Sequence, residues 1–138
     1  MRIFKVKTFA RFARKESLTD ISLLKAIDDA ERGLVDADLG GGLIKQRVAR
    51  PGKGKSGGFR TVIAFRSKER AIFLFGFAKS DLDNIEDDVL NNLRRIAALW
   101  LDADENALKR GLDSGLITGV KADGKSKGKN KPERQTRR

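Results

Sequence analysis

The stretch LIKQRVARPGKGKSGGFRTVIAFRSKER, Leu43 to Arg70, decides how this chain folds and what it can hold. Apolar and polar residues alternate on both sides of a glycine-rich segment, Gly52 to Gly58. That period of two predicts strands over Leu43–Ala49 and Gly58–Phe65, joined by a loop over Arg50–Gly57. In the second strand, Phe59, Thr61, Ile63 and Phe65 take one side, and Arg60, Val62, Ala64 and Arg66 the other. The stretch also carries nine cations (Lys45, Arg47, Arg50, Lys53, Lys55, Arg60, Arg66, Lys68, Arg70) against one acid, Glu69. A sheet that displays cations this densely suits a polyanion, and nucleic acid is the first candidate.

Working outward, Ser67–Arg70 reads as a tight polar turn, and Ala71–Ala78 as a third, mostly apolar strand. Ser80-Asp81-Leu82-Asp83 resembles a capping box, and Asp81, Asp83, Glu86, Asp87 and Asp88 suit the first turn of a helix. Leu82, Ile85, Val89, Leu93, Ile96 and Ala97 then line one side of a helix to about Trp100, and a short helix fits within Asp102–Ser114. Upstream, Arg2–Lys7 alternates like a strand. Thr8 can cap a helix that turns Phe9, Phe12 and Ala13 inward and leaves Arg11, Arg14 and Lys15 outside. Thr19 or Asp20 opens a second helix, with Ile21, Leu24, Ile27 and Ala30 inside, and Gly33 stops it. Leu34–Gly42 reads as a loop. The expected fold is a compact α+β domain: strand, helix, helix, a curled antiparallel sheet covered on one face, then a C-terminal helix.

Composition removes several chemistries. The chain of 138 residues has no His and no Cys, which excludes Ser-His-Asp triads, thiol nucleophiles, disulfides and His or Cys metal ligands. No cofactor and no metal site is expected. The charged N-terminus and the lack of a long apolar run predict a soluble, cytoplasmic protein without a membrane span. The net charge of +11 is segregated. Lys121–Arg138 holds eight cations and two acids, with almost no apolar residue. A segment of that composition cannot repay the entropy of ordering, so residues 117–138 are expected to form a basic, disordered tail on a domain spanning 1–116. Asp81–Glu105, in contrast, contains eight acids. One face should be positive and another negative.

The segment Gly54-Lys55-Ser56 mimics the end of a nucleotide-binding phosphate loop. The match fails because Ala49 stands where the first glycine belongs, and because a strand follows where a helix is needed. A cationic hairpin loop gripping a nucleic-acid backbone fits better, against the simple alternative of a solvated Lys-rich loop. Arg47, Arg60 and Lys79 would form a phosphate-sized trap if they share a concave face. Phe77 is either a ring for stacking on an unstacked base or a core residue.

The run RVARPGKGKSGGFRTVIAF followed by ERAIFLFGFAKSDLDNI resembles the RelE/HigB-like toxins of bacterial toxin–antitoxin pairs. The likeness is to the branch with a G-K-G-K-x-G-G-x-R loop and a later G-x-x-K before a helix, and it covers about Ile3 to Leu99. The resemblance implies an mRNA interferase, a metal-independent endoribonuclease that cuts messenger RNA on the ribosome and halts translation. It also implies a cognate antitoxin, in many cases a helix-turn-helix protein like HigA. Arg60 matches the strand arginine that contacts the scissile phosphate, Lys53 and Lys55 fall where lysines approach it, and Lys79 matches the lysine ending the last core strand. The resemblance thus assigns Arg60, Lys79, Lys55 and Lys53 to catalysis; the cationic strands themselves add Arg47 to that set, with Lys45, Arg50, Arg66 and Phe77 expected to bind RNA. Two features depart from the family pattern: Ser80 replaces an arginine after the lysine, and the chain has no Tyr. Either Phe77 keeps the stacking part of that tyrosine's task, or the base comes from elsewhere. Two rival readings share the basic strands: a non-catalytic nucleic-acid-binding protein, and a gyrase-directed ParE-like toxin.

Overall fold

Six strands and four helices, counted among the described residues, place the cationic stretch across the middle of one sheet. A computed structural model describes residues 1–50, 54–78 and 85–121, and the side chains of Arg50 and residues 54–57 fall outside the description. The elements are β1 (Arg2–Val6), α1 (Lys7–Lys15), α2 (Asp20–Glu31), β2 (Ala37–Gly40), β3 (Leu43–Arg50), β4 (Gly54–Arg66), β5 (Arg70–Ala78), α3 (Asp87–Leu101), α4 (Glu105–Ser114) and β6 (Ile117–Gly119). The sheet order is β2-β3-β4-β5-β1-β6. β1 lies parallel to β5 and antiparallel to β6, and the β2–β3–β4–β5 run is antiparallel throughout. The α+β class and the element order agree with the sequence.

Helices cover both faces, not one. Phe9, Ala13, Leu23, Ala26 and Ile27 from α1 and α2 pack on Ile44, Val48, Phe59, Ile63 and Phe73. On the other face, Leu93, Ala97, Leu101 and Leu108 from α3 and α4 pack on Leu43, Val62, Ala64, Ile72 and Leu74. The alternation in β4 is the cause: both of its sides are apolar enough to need cover, and fully burying each such side chain contributes about 1.5–3 kcal/mol.

Several local expectations shift. α1 begins at Lys7, two residues earlier than a Thr8 cap implies, and its N-cap Val6 makes no side-chain cap bond. In α2 the Thr19 hydroxyl accepts from the Ser22 N–H at 3.2 Å, and Gly33 ends the helix with φ +83°. The buried stripe there is Leu23, Ala26, Ile27 and Ala30, while Ile21 is 60% exposed. The segment read as a loop contains β2, an edge strand paired to β3. It has no β-branched residue to announce it, and backbone pairing alone defines it. β4 starts at Gly54, four residues before the expected Gly58, because pairing with β3 continues past a bulge between Val48 and Arg50. Glycine is required at 58, since a Cβ there would lie 2.1 Å from the Val48 carbonyl oxygen.

α3 begins at Asp87 with Glu86 as N-cap, so Ile85 precedes the helix. Leu82 and the Ser80 capping box lie outside the described residues. Val89 and Ile96, expected inside, are each 39% exposed. The last turn of α3 is held by cations from the β4–β5 turn. Arg66 donates to the Leu101 carbonyl at 2.9 Å, and Arg70 donates to the Trp100 and Ala103 carbonyls at 2.8 Å each. Positive charge belongs there, where the final carbonyls have no helical partner. α4 is capped by Asp104, which accepts from the Ala107 N–H at 2.8 Å, and ends at Gly115 with φ +80°. Ile117–Gly119, which the sequence reading assigns to the tail, forms β6 against β1. From residue 122 onward the tail lies outside the described residues.

Candidate functional site: a cationic row on one sheet face

Strand register brings three of the expected residues into a single row. Arg47 of β3 stands directly opposite Arg60 of β4, and Arg60 stands opposite Phe77 of β5. Neighbouring strands lie about 4.8 Å apart, so the row is about 10 Å wide. Lys45 opposes Val62 in the next row on the same face. This is the face covered by α3, since Val62 and Ala64 share its core with Leu93 and Ala97. The sequence-based expectation that Arg60 points away from Phe59, Ile63 and Phe65 is met.

Like charges directly opposite one another repel, and the two arginines resolve this unequally. Arg47 Nε pairs with an Asp36 carboxylate oxygen at 3.2 Å. Arg60 has no such relief among the described residues: its side chain makes no ion pair with them, and its Nη1 is buried without a partner. A guanidinium keeps its charge, so it cannot escape the cost of burial by losing a proton. Such a group is poised for an anion with paired oxygens, and phosphate matches its fork.

Asp36 owes its place to a buried amide. Gln46 is 3% exposed and sits on the opposite face of β3 from Arg47. Its side-chain NH2 donates to the carbonyls of Ala26 at 3.1 Å and Leu34 at 2.8 Å. Its carbonyl oxygen accepts from the Asp36 N–H at 3.2 Å. Thr61 donates to the Gln46 backbone carbonyl at 2.9 Å. This network ties the end of α2 and the start of β2 to the centre of the sheet. Neither Asp36 nor Gln46 was singled out from sequence. Asp36 fell in a segment read as a loop, and a lone Gln within a cationic strand carries no signal of burial.

The other expected residues are distributed differently. Lys53 and Lys79 lie outside the described residues, as do the side chains of Arg50 and Lys55. Arg66 sits at the far end of β4, six residues and about 20 Å from Arg60. There it donates to the Leu101 carbonyl and pairs with Asp102 at 2.9 Å, so it fastens α3 and is not part of the row. Phe77 is 7% exposed, and its ring lies 5.8 Å from that of Phe75, an arrangement of core packing. Trp100 packs over Gly111, where a Cβ would come within 2.8 Å of the indole.

Behind the row, on the opposite face, Phe12 of α1 meets Phe59 edge-on with centroids 5.3 Å apart. Its ring also covers Gly76, where any Cβ would lie 2.4 Å away. Phe59 and Gly76 are the chain neighbours of Arg60 and Phe77, so α1 stiffens the part of the sheet that carries the row.

No helix among the described residues is long and apolar enough to cross a membrane. No curated protein matches the chain in sequence. A family model described as the RelE toxin of the RelE/RelB toxin–antitoxin system matches residues 1–120.

Proposed function

We propose that this chain, which belongs to the RelE toxin family of toxin–antitoxin systems, is a ribosome-dependent, metal-independent mRNA endoribonuclease of the HigB-like branch. The observation that carries the reading is Arg60: a fixed guanidinium with a buried, unpartnered Nη1, opposite Arg47 on the cationic face.

The reaction is an internal transfer. The RNA 2′-oxygen attacks the adjacent phosphorus, the bond from phosphorus to the 5′-oxygen breaks, and a 2′,3′-cyclic phosphate and a 5′-hydroxyl result. One proton leaves the 2′-hydroxyl and one reaches the departing oxygen, so no water is consumed. The nucleophile comes from the substrate, so no activated water or metal-bound hydroxide is required. What the protein must supply is charge stabilisation at the phosphorane, which is commonly the largest contribution. Arg60 takes that role, with Arg47 beside it and Lys45 on the adjoining row for the RNA backbone.

Proton transfer without His falls to lysines. An ordinary lysine amine is a poor base at neutral pH, and crowding by neighbouring cations lowers its proton affinity. Lys53, Lys55 and Lys79 are the residues assigned this work, with Arg50 adding charge at the loop. A weak proton-transfer set is offset when the ribosome aligns the message in line for attack, since orientation alone can supply about 7–11 kcal/mol. The basic tail from Lys121 adds sequence-independent affinity for ribosomal RNA. The protein therefore acts in the cytoplasm, and a cognate antitoxin, a helix-turn-helix protein like HigA, neutralises it.

Primer-extension mapping of cellular mRNA after a brief induction tests this. Cuts confined to translated frames support it. Intact mRNA with induced DNA-damage signalling would point instead to a gyrase-directed toxin, and intact mRNA without that signal to a non-catalytic binder.

A further inference from the structure

Across the described residues, this fold pairs most of its cations. Lys5 bonds Asp20, Lys25 and Arg32 share Asp29, and Lys109 meets Asp113. Arg2 pairs with Glu105, while Arg66 and Arg70 are spent on the end of α3. Among the described residues the side chains of Lys45, Arg60, Lys68, Arg110 and Lys121 also lack a partner, but α1 gathers four such cations on one element. Its Lys7, Arg11, Arg14 and Lys15 are all exposed, and its first turn contains no acid. None of the four side chains takes part in a hydrogen bond or ion pair among the described residues.

These side chains form one stripe. At 100° per residue, positions 7, 11, 14 and 15 fall within about 100° of arc and span about 12 Å of helix axis. The arrangement costs stability. Lys7–Arg11 and Arg11–Lys15 are like-charge pairs at i,i+4, and Arg11–Arg14 is one at i,i+3. Lys7 also sits in the first turn, against the positive end of the helix dipole. The opposite side of the helix, Phe9, Ala10 and Ala13, is buried and fixes how the stripe faces outward. No acidic side chain among the described residues pairs with these cations to offset the repulsion.

We propose that the α1 stripe is a second RNA-binding surface, one that grips the phosphate backbone of structured, duplex RNA. It lies on the opposite sheet face from Arg60 and at the same end of the sheet. The inference deepens the proposed function, because it gives the enzyme separate contacts for the RNA it cuts and for the RNA that holds it in place. A 12 Å length of duplex presents about seven phosphate charges, enough for four cations. Composition favours nucleic acid over protein. The core of a protein interface is apolar, yet the exposed large apolar side chains lie elsewhere, at Met1, Ile21, Leu34, Val89, Ile96, Leu99, Leu112 and Leu116, with none on α1. Interfaces with nucleic acid are polar and strongly positive.

The test uses the full chain carrying Arg60→Ala, so that RNA is not cut during binding. Affinity for a synthetic RNA duplex and for intact small ribosomal subunits is measured from low to moderate salt, with and without Lys7→Gln, Arg11→Gln, Arg14→Gln and Lys15→Gln together. The quadruple variant should bind at least tenfold more weakly and lose about three units of salt slope. Its melting temperature should hold or rise, because the repulsion is gone. Arg11→Lys with Arg14→Lys should keep the affinity. Equal affinity and slope in the quadruple variant overturns the proposal. So does unchanged RNA binding accompanied by loss of the antitoxin complex, which would make the stripe a protein contact. The nuclease reading fails on a different result: a wild-type chain that binds duplex through α1 but leaves mRNA intact.

Discussion

Arg47 and Arg60 face each other across the β3–β4 ladder, and among the described residues only Arg47 has a carboxylate partner. Two guanidinium groups at adjacent ladder positions, one neutralised and one not, make a site with a graded charge. Arg47 is held by Asp36, whereas the Arg60 Nη1 has no partner among the described residues.

Asp36→Asn removes the neutralising carboxylate. The side chains of the Asp36–Arg47 pair are 30% and 46% exposed, so the stability loss should be small, about 0.2–1 kcal/mol. RNA binding should strengthen and its salt dependence steepen, because one more cation becomes available. A salt titration of binding, beside a melting curve, checks both.

Gln46→Leu should act in the opposite sense. It leaves the Ala26 and Leu34 carbonyls and the Asp36 N–H without the side-chain partners they now have. Each buried group so stranded costs about 1–3 kcal/mol. Denaturant unfolding should show a loss of at least 2 kcal/mol, and the remaining folded protein should cleave more slowly because Asp36 no longer fixes Arg47.

The nucleophile assignment predicts the chemistry of the ends. Cleavage on programmed ribosomes should continue in a chelator that strips transition metals while sparing the magnesium the ribosome needs. The 3′ ends should resist ligation until the cyclic phosphate is opened, and the 5′ ends should accept phosphate from a kinase. Free 3′-hydroxyl ends would mean water is the attacking group and that the assignment is wrong.

Gly76→Ala tests the packing behind the site. The added methyl would overlap the Phe12 ring, and overpacking of this kind costs about 1–3 kcal/mol. Pairing it with Phe12→Leu should recover part of that loss, measured as a double-mutant cycle.

The sequence made the centre of this molecule legible and its periphery much less so. Alternation over Leu43–Phe65 predicts two long strands and the face of Arg60, because a period of two leaves no freedom once one side is apolar, and the apolar run Ala71–Ala78 predicts the third. The signal failed where structure rests on the backbone alone. β2 has neither β-branched residues nor alternation strong enough to show, and β6 is only three residues long. The inner stripe of α2 was misphased because Leu23 and Leu24 are adjacent and either can face inward; the Thr19 cap and the contact with β3 choose Leu23. Arg66 looked equivalent to Arg60 from its charge and its side of the strand. Distance along β4 separates them, and the free carbonyls at the end of α3 claim Arg66. Asp36 and Gln46 were invisible because their roles depend on a contact between α2 and β3 that no local pattern encodes.

The most direct measurement is the single-turnover cleavage rate of mRNA on saturating programmed ribosomes, comparing wild-type protein with Arg60→Ala and Arg60→Lys. Removing one such charge donor from a transition state costs about a hundredfold to a thousandfold in rate. Arg60→Ala should fall by that factor while melting no earlier than wild type, since among the described residues the lost cation had no ion-pair partner. Arg60→Lys should retain an intermediate rate. An Arg60→Ala protein that is folded and cleaves as fast as wild type contradicts the account.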